Sequence, residues 1–328
     1  MGRKLTVAIE RWPVAGAFTI ARGAKTEVDV VIVSIADEMR SGRGEATPIY
    51  YHGETADNVA ALIAAVQAEI EAGLNRSELQ NLLPRGAARN AVDAALWQLE
   101  ARKSGLPVWR LAGLDEPKPL LTAYTISVSS PDQMKADAAR AAGIYPLLKL
   151  KLSGQNDVDR VAAVRAGAPE ARLIVDANES WTGRDIVSEA EQLLPFGVEL
   201  IEQPVRAGED ALLGSIRSPI PLCADESCQS LHDVERCSQL YQAINIKLDK
   251  AGGLTEALAM TKAAQKAGLQ IMVGCMLSTS LGVAPAFLVG QCAHWVDLDG
   301  PLLLARDRTP AIAFDGAMMP MPDPELWG

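Results

Sequence analysis

From residue 122 onward the chain repeats one pattern, a short apolar run followed by a segment with apolar residues at helical spacing. The runs at 122–127, 147–152, 173–176, 199–202, 222–225, 243–248, 270–274 and 295–298 read as strands. Helical spacing fills gaps such as 132–142, 157–166, 186–194 and 255–267. Strand–helix alternation demands parallel strands, because each helix carries the chain back to the edge it left. Eight such units, at intervals of roughly 20 to 27 residues, predict an α/β fold of the (β/α)8-barrel type over 120–310. An open doubly wound sheet is the competitor, but no GxGxxG follows the first strand.

The preceding part lacks this alternation. Segments 5–12 and 26–36 read as strands, and 18–25, with Arg22 and Lys25, as a hairpin loop between them. Segment 42–46, containing Gly42 and Gly44, reads as a turn. Segments 58–73 and 87–104 have helical spacing, and Gly105-Leu106-Pro107 stops the second. Residues 1–119 are therefore expected to form an α+β capping domain. The tail, 311–328, is rich in Pro and Met and is expected to pack back on it.

With 328 residues, 48% of them hydrophobic, the chain can bury a sizeable core. A net charge of -10 argues against nucleic acid or an anionic membrane as partner. No run of 18 apolar residues offers a transmembrane helix. The first residues lack a signal peptide's apolar stretch. The five cysteines show no zinc-type spacing, and an odd, scattered count fits reduced thiols in the cytoplasm. A small molecule is the expected partner, and a homo-oligomer stays open.

Charged residues fall at particular places in this frame. Lys149 and Lys151 leave the same face of the second strand, in a run of leucines. Desolvation and mutual repulsion would each lower a lysine pKa there, toward a usable base. Solvated lysines at a strand end are the plainer alternative. The third, fourth and fifth strands end in Asp176, Glu202 and Asp225, at the barrel face where catalytic groups gather. Three adjacent carboxylates repel unless a cation neutralises them, and an all-oxygen set suits Mg²⁺.

Lys247 lies on the sixth strand, four places from the second, so Lys151 and Lys247 are expected to face each other across the mouth. Asp297 and Asp299 share a face of the eighth strand, opposite the fourth. They are expected across the site from the metal, placed for a cation on the substrate. A metal-bound carboxylate has an acidified α-hydrogen, and two bases flanking that carbon describe a racemase or epimerase. A lyase or cycloisomerase would need only one lysine as base.

Lys149-Leu150-Lys151, Asp176-Ala177-Asn178, Glu202-Gln203-Pro204 and Ala224-Asp225-Glu226-Ser227 are followed by Asn245-Ile246-Lys247-Leu248-Asp249-Lys250-Ala251-Gly252-Gly253. With these motifs the whole chain resembles the enolase superfamily, in its muconate-lactonising branch, and there the dipeptide epimerases. A Lys or His base beside Mg²⁺ is already known for that superfamily. The resemblance implies one Mg²⁺ per active site, held by Asp176, Glu202 and Asp225. It implies Lys151 and Lys247 as the two bases, with Lys149 assisting electrostatically. Asp297-Leu298-Asp299 looks like the motif that holds a dipeptide's ammonium. Arg22 falls where these enzymes bind a glutamate side chain, and Thr125 where they contact substrate.

The implied reaction is L-Ala-D/L-Glu epimerisation in the breakdown of murein peptides. N-acylamino-acid racemase and o-succinylbenzoate synthase are the alternatives within the branch. Of the remaining residues, His52, His232 and His294 read as structural, and Asn178, two residues past Asp176, equally as a site residue or a helix cap. Glu226 reads as an outer partner of a metal ligand. Lys250 reads as pointing away from Lys247, toward packing or the surface.

Overall fold

The computed structural model describes residues 2–20, 23–38 and 40–328. The strand–helix repeat forms a sheet of eight strands, neighbours in chain order. They are Tyr124–Ile126, Leu147–Lys151, Arg172–Asp176, Val198–Glu202, Leu222–Ala224, Ala243–Lys247, Gln270–Gly274 and Trp295–Asp297, here strands one to eight. Successive strands pair in parallel. The Ala123 N–H donates to the Val296 carbonyl at 2.7 Å, which brings strand eight back to strand one. The result is a barrel of the predicted type.

Period-two alternation along the strands builds two stacked rings inside it. The lower ring takes one residue from each strand or its immediate flank: Ala123, Leu147, Ile174, Leu200, Cys223, Ala243, Met272 and Trp295, all buried. Two residues further along come Thr125, Lys149, Asp176, Glu202, Asp225, Asn245, Gly274 and Asp297. An apolar plug therefore underlies a ring of polar side chains, interrupted by one glycine. The outward faces, among them Leu148, Leu150, Val175, Ile201, Ile246 and Val273, join the large core between strands and helices.

The N-terminal part differs from expectation in two places. Strands Lys4–Ile20 and Gly23–Asp37 run on through the segment expected as a loop, with Ile20 opposite Gly23. Residues 42–46 belong to a third strand, Arg40–Ala46, rather than a turn. Its glycines serve close approach: a Cβ on Gly42 would lie 2.0 Å from the Ala95 carbonyl, and one on Gly44 2.1 Å from that of Ala91. The strand thus lies flush on the helix Ala87–Ser104. That helix and the inner face of the sheet bury a second core, with Val31, Val33, Ile35, Ala91, Ala95 and Leu96.

Polar contacts tie this domain to the barrel. The Thr47 N–H (3.0 Å) and Asn90 Nδ2 (2.9 Å) both donate to Asp249 Oδ1. Arg89 donates to the carbonyls of Ala251 (2.6 Å) and Gly252 (3.1 Å), and Asp93 accepts from Thr255. From the tail, Trp327 Nε1 donates to the Ala94 carbonyl at 3.0 Å, and Arg43 and Gln98 reach the Leu326 carbonyl. Among the described residues no helix is long and apolar enough to cross a membrane.

Candidate active site

The polar ring opens into a cavity of about 270 Å³ at the C-terminal end of the strands. The hairpin of the N-terminal domain covers one side with Phe18, Ile20, Gly23 and Lys25, and Tyr50 and Tyr51 add a second wall. The barrel contributes Thr125, Lys149, Lys151, Asp225, Lys247, Asp297 and Asp299. Seven of the ten residues singled out by sequence thus line one space, and Asp176 and Glu202 are buried against two of its lysines. The tenth, Arg22, lies outside the described residues.

Each carboxylate of strands three to five meets a lysine. Lys151 Nζ donates to Asp176 Oδ2 at 2.7 Å, and Lys247 Nζ to Asp225 Oδ2 at 2.7 Å. Lys149 Nζ stands 2.7 Å from both Glu202 Oε2 and Asp297 Oδ2, and 3.6 Å from Asp176 Oδ2. Register places them so, because Lys151 pairs with Asp176 and Asp176 with Glu202 across adjacent strands. Gly274 likewise stands between Lys247 and Asp297. Asp176 and Glu202 are 0% and 1% exposed, lying beneath the ammoniums.

Two expectations are corrected here. Paired lysines on an apolar strand were expected to have lowered pKa values. Desolvation does pull the Lys149 ammonium down, but Asp297, Glu202 and Asp176 outweigh it and hold the pKa well above the ordinary value. Lys247 is likewise desolvated yet held well above the ordinary range, by Asp225 and Glu202. Second, Asp297 is not remote from the carboxylates of strands three to five. One ammonium, Lys149, bridges it to Glu202.

The acid two residues past the end of strand eight, Asp299, accepts from the Thr125 N–H at 2.7 Å. Burial, and then the charge of Asp297, push its carboxyl up to about 7. Among the carboxylates of strands three to five, burial and the charge of Asp176 raise Glu202. For Asp225, burial works upward but Lys247 and Lys250 overcome it and hold the carboxyl well below the usual range.

Three site residues escaped the sequence reading. Asn245 Nδ2 donates to Glu202 Oε1 at 2.6 Å. It sits two residues before Lys247, so the same-face rule that found the lysine pairs would have found it. Of the two places expected for Lys250, packing or the surface, it takes the buried one, and what it packs on is the carboxylate of Asp225. Lys25, with Nζ 4.9 Å from the centre of the Tyr50 ring, lines the cavity from the hairpin.

Among the described residues, no three His, Cys, Asp or Glu side chains already converge as an ion's ligands. Each carboxylate of the triad is drawn to an ammonium instead. The donor chemistry nevertheless fits a hard divalent cation: Asp176, Glu202 and Asp225 are buried oxygen donors close enough to raise one another's proton affinity. Glu202 Oε2 and Asn245 Oδ1 are buried and accept no well-directed hydrogen bond.

A (β/α)8 barrel with buried lysines on strands two and six, each on a carboxylate, sets groups able to exchange protons at the mouth of one cavity. Comparison with known proteins gives the family. Residues 3–113 match the mandelate racemase/muconate lactonizing enzyme N-terminal domain, and 133–323 the enolase C-terminal domain-like family. The chain belongs to the enolase superfamily and, within it, to the dipeptide epimerases, which are isomerases.

It is 43% identical to the L-Ala-D/L-Glu epimerase of Escherichia coli K12, over 95% of this chain and 98% of that one. It is 42% identical to an N-acetyl-D-glutamate racemase of a Pseudoalteromonas species, over 91% and 95%. An Agrobacterium tumefaciens enolase family member with homology to dipeptide epimerases superposes with a TM-score of 0.97 at 50% identity, covering 99% of this chain and 100% of that one. Its crystal structure holds sodium and L-Ala-L-Glu. The dipeptide epimerase of Enterococcus faecalis V583, complexed with Mg and L-Leu-L-Tyr, is 28% identical with a TM-score of 0.91 and 98% coverage of both chains.

Proposed function

We propose that the protein epimerises L-Ala-D/L-Glu at the α-carbon of its C-terminal residue, using one Mg²⁺ and two lysine bases. The observation that carries this reading is the polar ring together with the cavity above it: buried oxygen donors on Asp176, Glu202 and Asp225, Lys151 and Lys247 at the ends of strands two and six, and the buried acids Asp297 and Asp299 at and just past the end of strand eight. Asp176, Glu202 and Asp225 would hold the ion. Bound there, Mg²⁺ supplies a fixed positive charge that acidifies the hydrogen next to a substrate carboxylate.

The chain's own residues do the rest. Lys151 and Lys247 take and return the proton on opposite faces of the α-carbon. Each must be neutral to accept and charged to donate, so the two exchange states over a turnover. Lys149, held protonated between Asp297 and Glu202, contributes charge rather than a base. Asp297 and Asp299 receive the dipeptide's ammonium. Arg22 is assigned to the glutamate side chain, and Thr125 positions Asp299 through its N–H. The five free thiols fit a cytoplasmic enzyme that receives dipeptides released from murein.

N-acetyl-glutamate racemisation is the second reading, favoured by the similarity to the Pseudoalteromonas enzyme. The two acids on the cavity argue against it, since an N-acyl substrate brings no cation to them. Incubation in D₂O with Mg²⁺ tests both. Deuterium should enter the glutamate α-position of Ala-Glu far faster than that of N-acetyl-glutamate. The reverse order would favour the racemase, and no exchange on any dipeptide would sink the proposal.

A further inference from the structure

Lys250 lies in the short helix Leu248–Ala251 that follows strand six, and it is 1% exposed. Its ammonium is surrounded by protein oxygens: the carbonyl of Asp225 at 2.5 Å, those of Cys228 and Asn245 at 3.2 Å, and Asp225 Oδ1. Three of these acceptors are backbone carbonyls of strand six and of the turn after strand five. The position of Nζ is therefore set by the main chain, and the side chain of Asp225 must come to it.

Every polar atom of Asp225 is then engaged. Its N–H donates to Gln203 Oε1 at 2.8 Å, its carbonyl and Oδ1 take Lys250, and Oδ2 takes Lys247 at 2.7 Å. The two lysines differ in access. Lys247 lines the cavity and Lys250 does not, lying behind the carboxylate.

We infer that Lys250 is a positioning residue that keeps Oδ1 of Asp225 out of metal coordination, so that this carboxylate offers the ion a single oxygen, the one Lys247 now holds. The inference rests on the metal reading above. It has a chemical consequence. Carboxylates that bind through both oxygens suit the larger, flexible shell of Ca²⁺, whereas Mg²⁺ takes one oxygen from each at near-octahedral geometry. A cation fixed on Oδ1 thus biases the site toward the smaller ion. It also makes the metal and Lys247 share one oxygen, coupling the base to the ion.

Calorimetric titration of the native protein and of Lys250→Met with Mg²⁺ and Ca²⁺ tests this. Loss of a residue that orients a ligand typically weakens metal binding about 10- to 100-fold. We expect that loss for Mg²⁺, with a smaller one for Ca²⁺. A merely structural lysine would lower Tm and leave the Mg²⁺ affinity of the folded variant within twofold, which overturns the assignment. Should the variant not fold, a crystal structure of the Mg²⁺-loaded native protein decides. Coordination through Oδ2 alone, with Lys250 on Oδ1, supports it, and coordination through both oxygens overturns it. Native protein that binds no divalent ion overturns the metal reading and this assignment together, whereas loss confined to the comparison with the variant concerns Lys250 alone.

Discussion

Lys149 and Lys151 leave the same face of one strand two residues apart, yet they meet different surroundings. Lys149 sits on Glu202 and Asp297 at 2.7 Å, with Asp176 at 3.6 Å, and is 1% exposed. A lysine so placed keeps its proton. Lys151 has one carboxylate partner, Asp176, and its ammonium reaches toward the Phe18 ring at 5.9 Å. Lys247 also has a single carboxylate at hydrogen-bond distance on the cavity side, Asp225. The two lysines proposed as bases thus each have one carboxylate at hydrogen-bond distance, where Lys149 has two. Replacing either with Ala should lower epimerisation by about 10² to 10⁴, the usual worth of a positioned base. Each variant should still exchange the α-hydrogen of one stereoisomer in D₂O, followed by NMR, and the two variants should spare opposite isomers. If both variants lost exchange from both isomers equally, the two-base assignment would fail.

At the scale of elements, strand seven supplies the ring with no side chain at all. A Cβ on Gly274 would lie 2.8 Å from Asn245 Oδ1, 2.9 Å from its Nδ2 and 3.1 Å from Lys247 Cε. The empty position lets two side chains of strand six reach their carboxylates, Glu202 and Asp225. Gly274→Ala should push Asn245 off Glu202 and crowd the stem of Lys247. We expect kcat to fall about 100-fold, in the range seen when a catalytic group is misplaced by an ångström, while circular dichroism stays native. An active variant would show that the space is not needed.

The same strand marks where the sequence stopped being legible. Charges on apolar strands are conspicuous, so Lys149, Lys151, Asp176, Glu202, Asp225 and Lys247 stood out by position alone. A glycine whose role is to be absent leaves no such trace, and Asn245, uncharged, is marked only by sharing a face with Lys247. The contact of Lys250 with Asp225 is hidden from strand alternation because the chain turns into a helix at Leu248. The third strand was misread as a turn. Gly42 and Gly44 are turn residues locally, and only the helix packed 2 Å from their missing Cβ atoms makes them a strand.

For the molecule as a whole, one of the ties between the N-terminal domain and the barrel is a buried acid. Asp249 is 7% exposed and receives Thr47 and Asn90 from the N-terminal domain on one oxygen. Burial drives its carboxyl up to about 7; those two hydrogen bonds oppose this, and the charges of Glu54 and Glu45 add to it. A carboxyl raised in the folded state makes stability fall as pH rises. Below about 4 the group is protonated folded and unfolded alike, and it contributes nothing. Between about 4 and 7 the unfolded chain releases the proton that the folded one keeps, and the loss builds up. Above 7 both forms are ionised and the cost levels off at about 4 kcal/mol, from a gap of some three pKa units. Asp249→Asn keeps an acceptor for Thr47 and Asn90 and removes the titration. Relative to the native protein, its Tm by calorimetry should therefore climb steadily from pH 5 to pH 7.5 and then run parallel. Asp93 and Asp299, raised to about 6 and about 7, titrate in the same window in both proteins and cancel in the difference. A constant difference across that range would mean that the junction does not hold this proton.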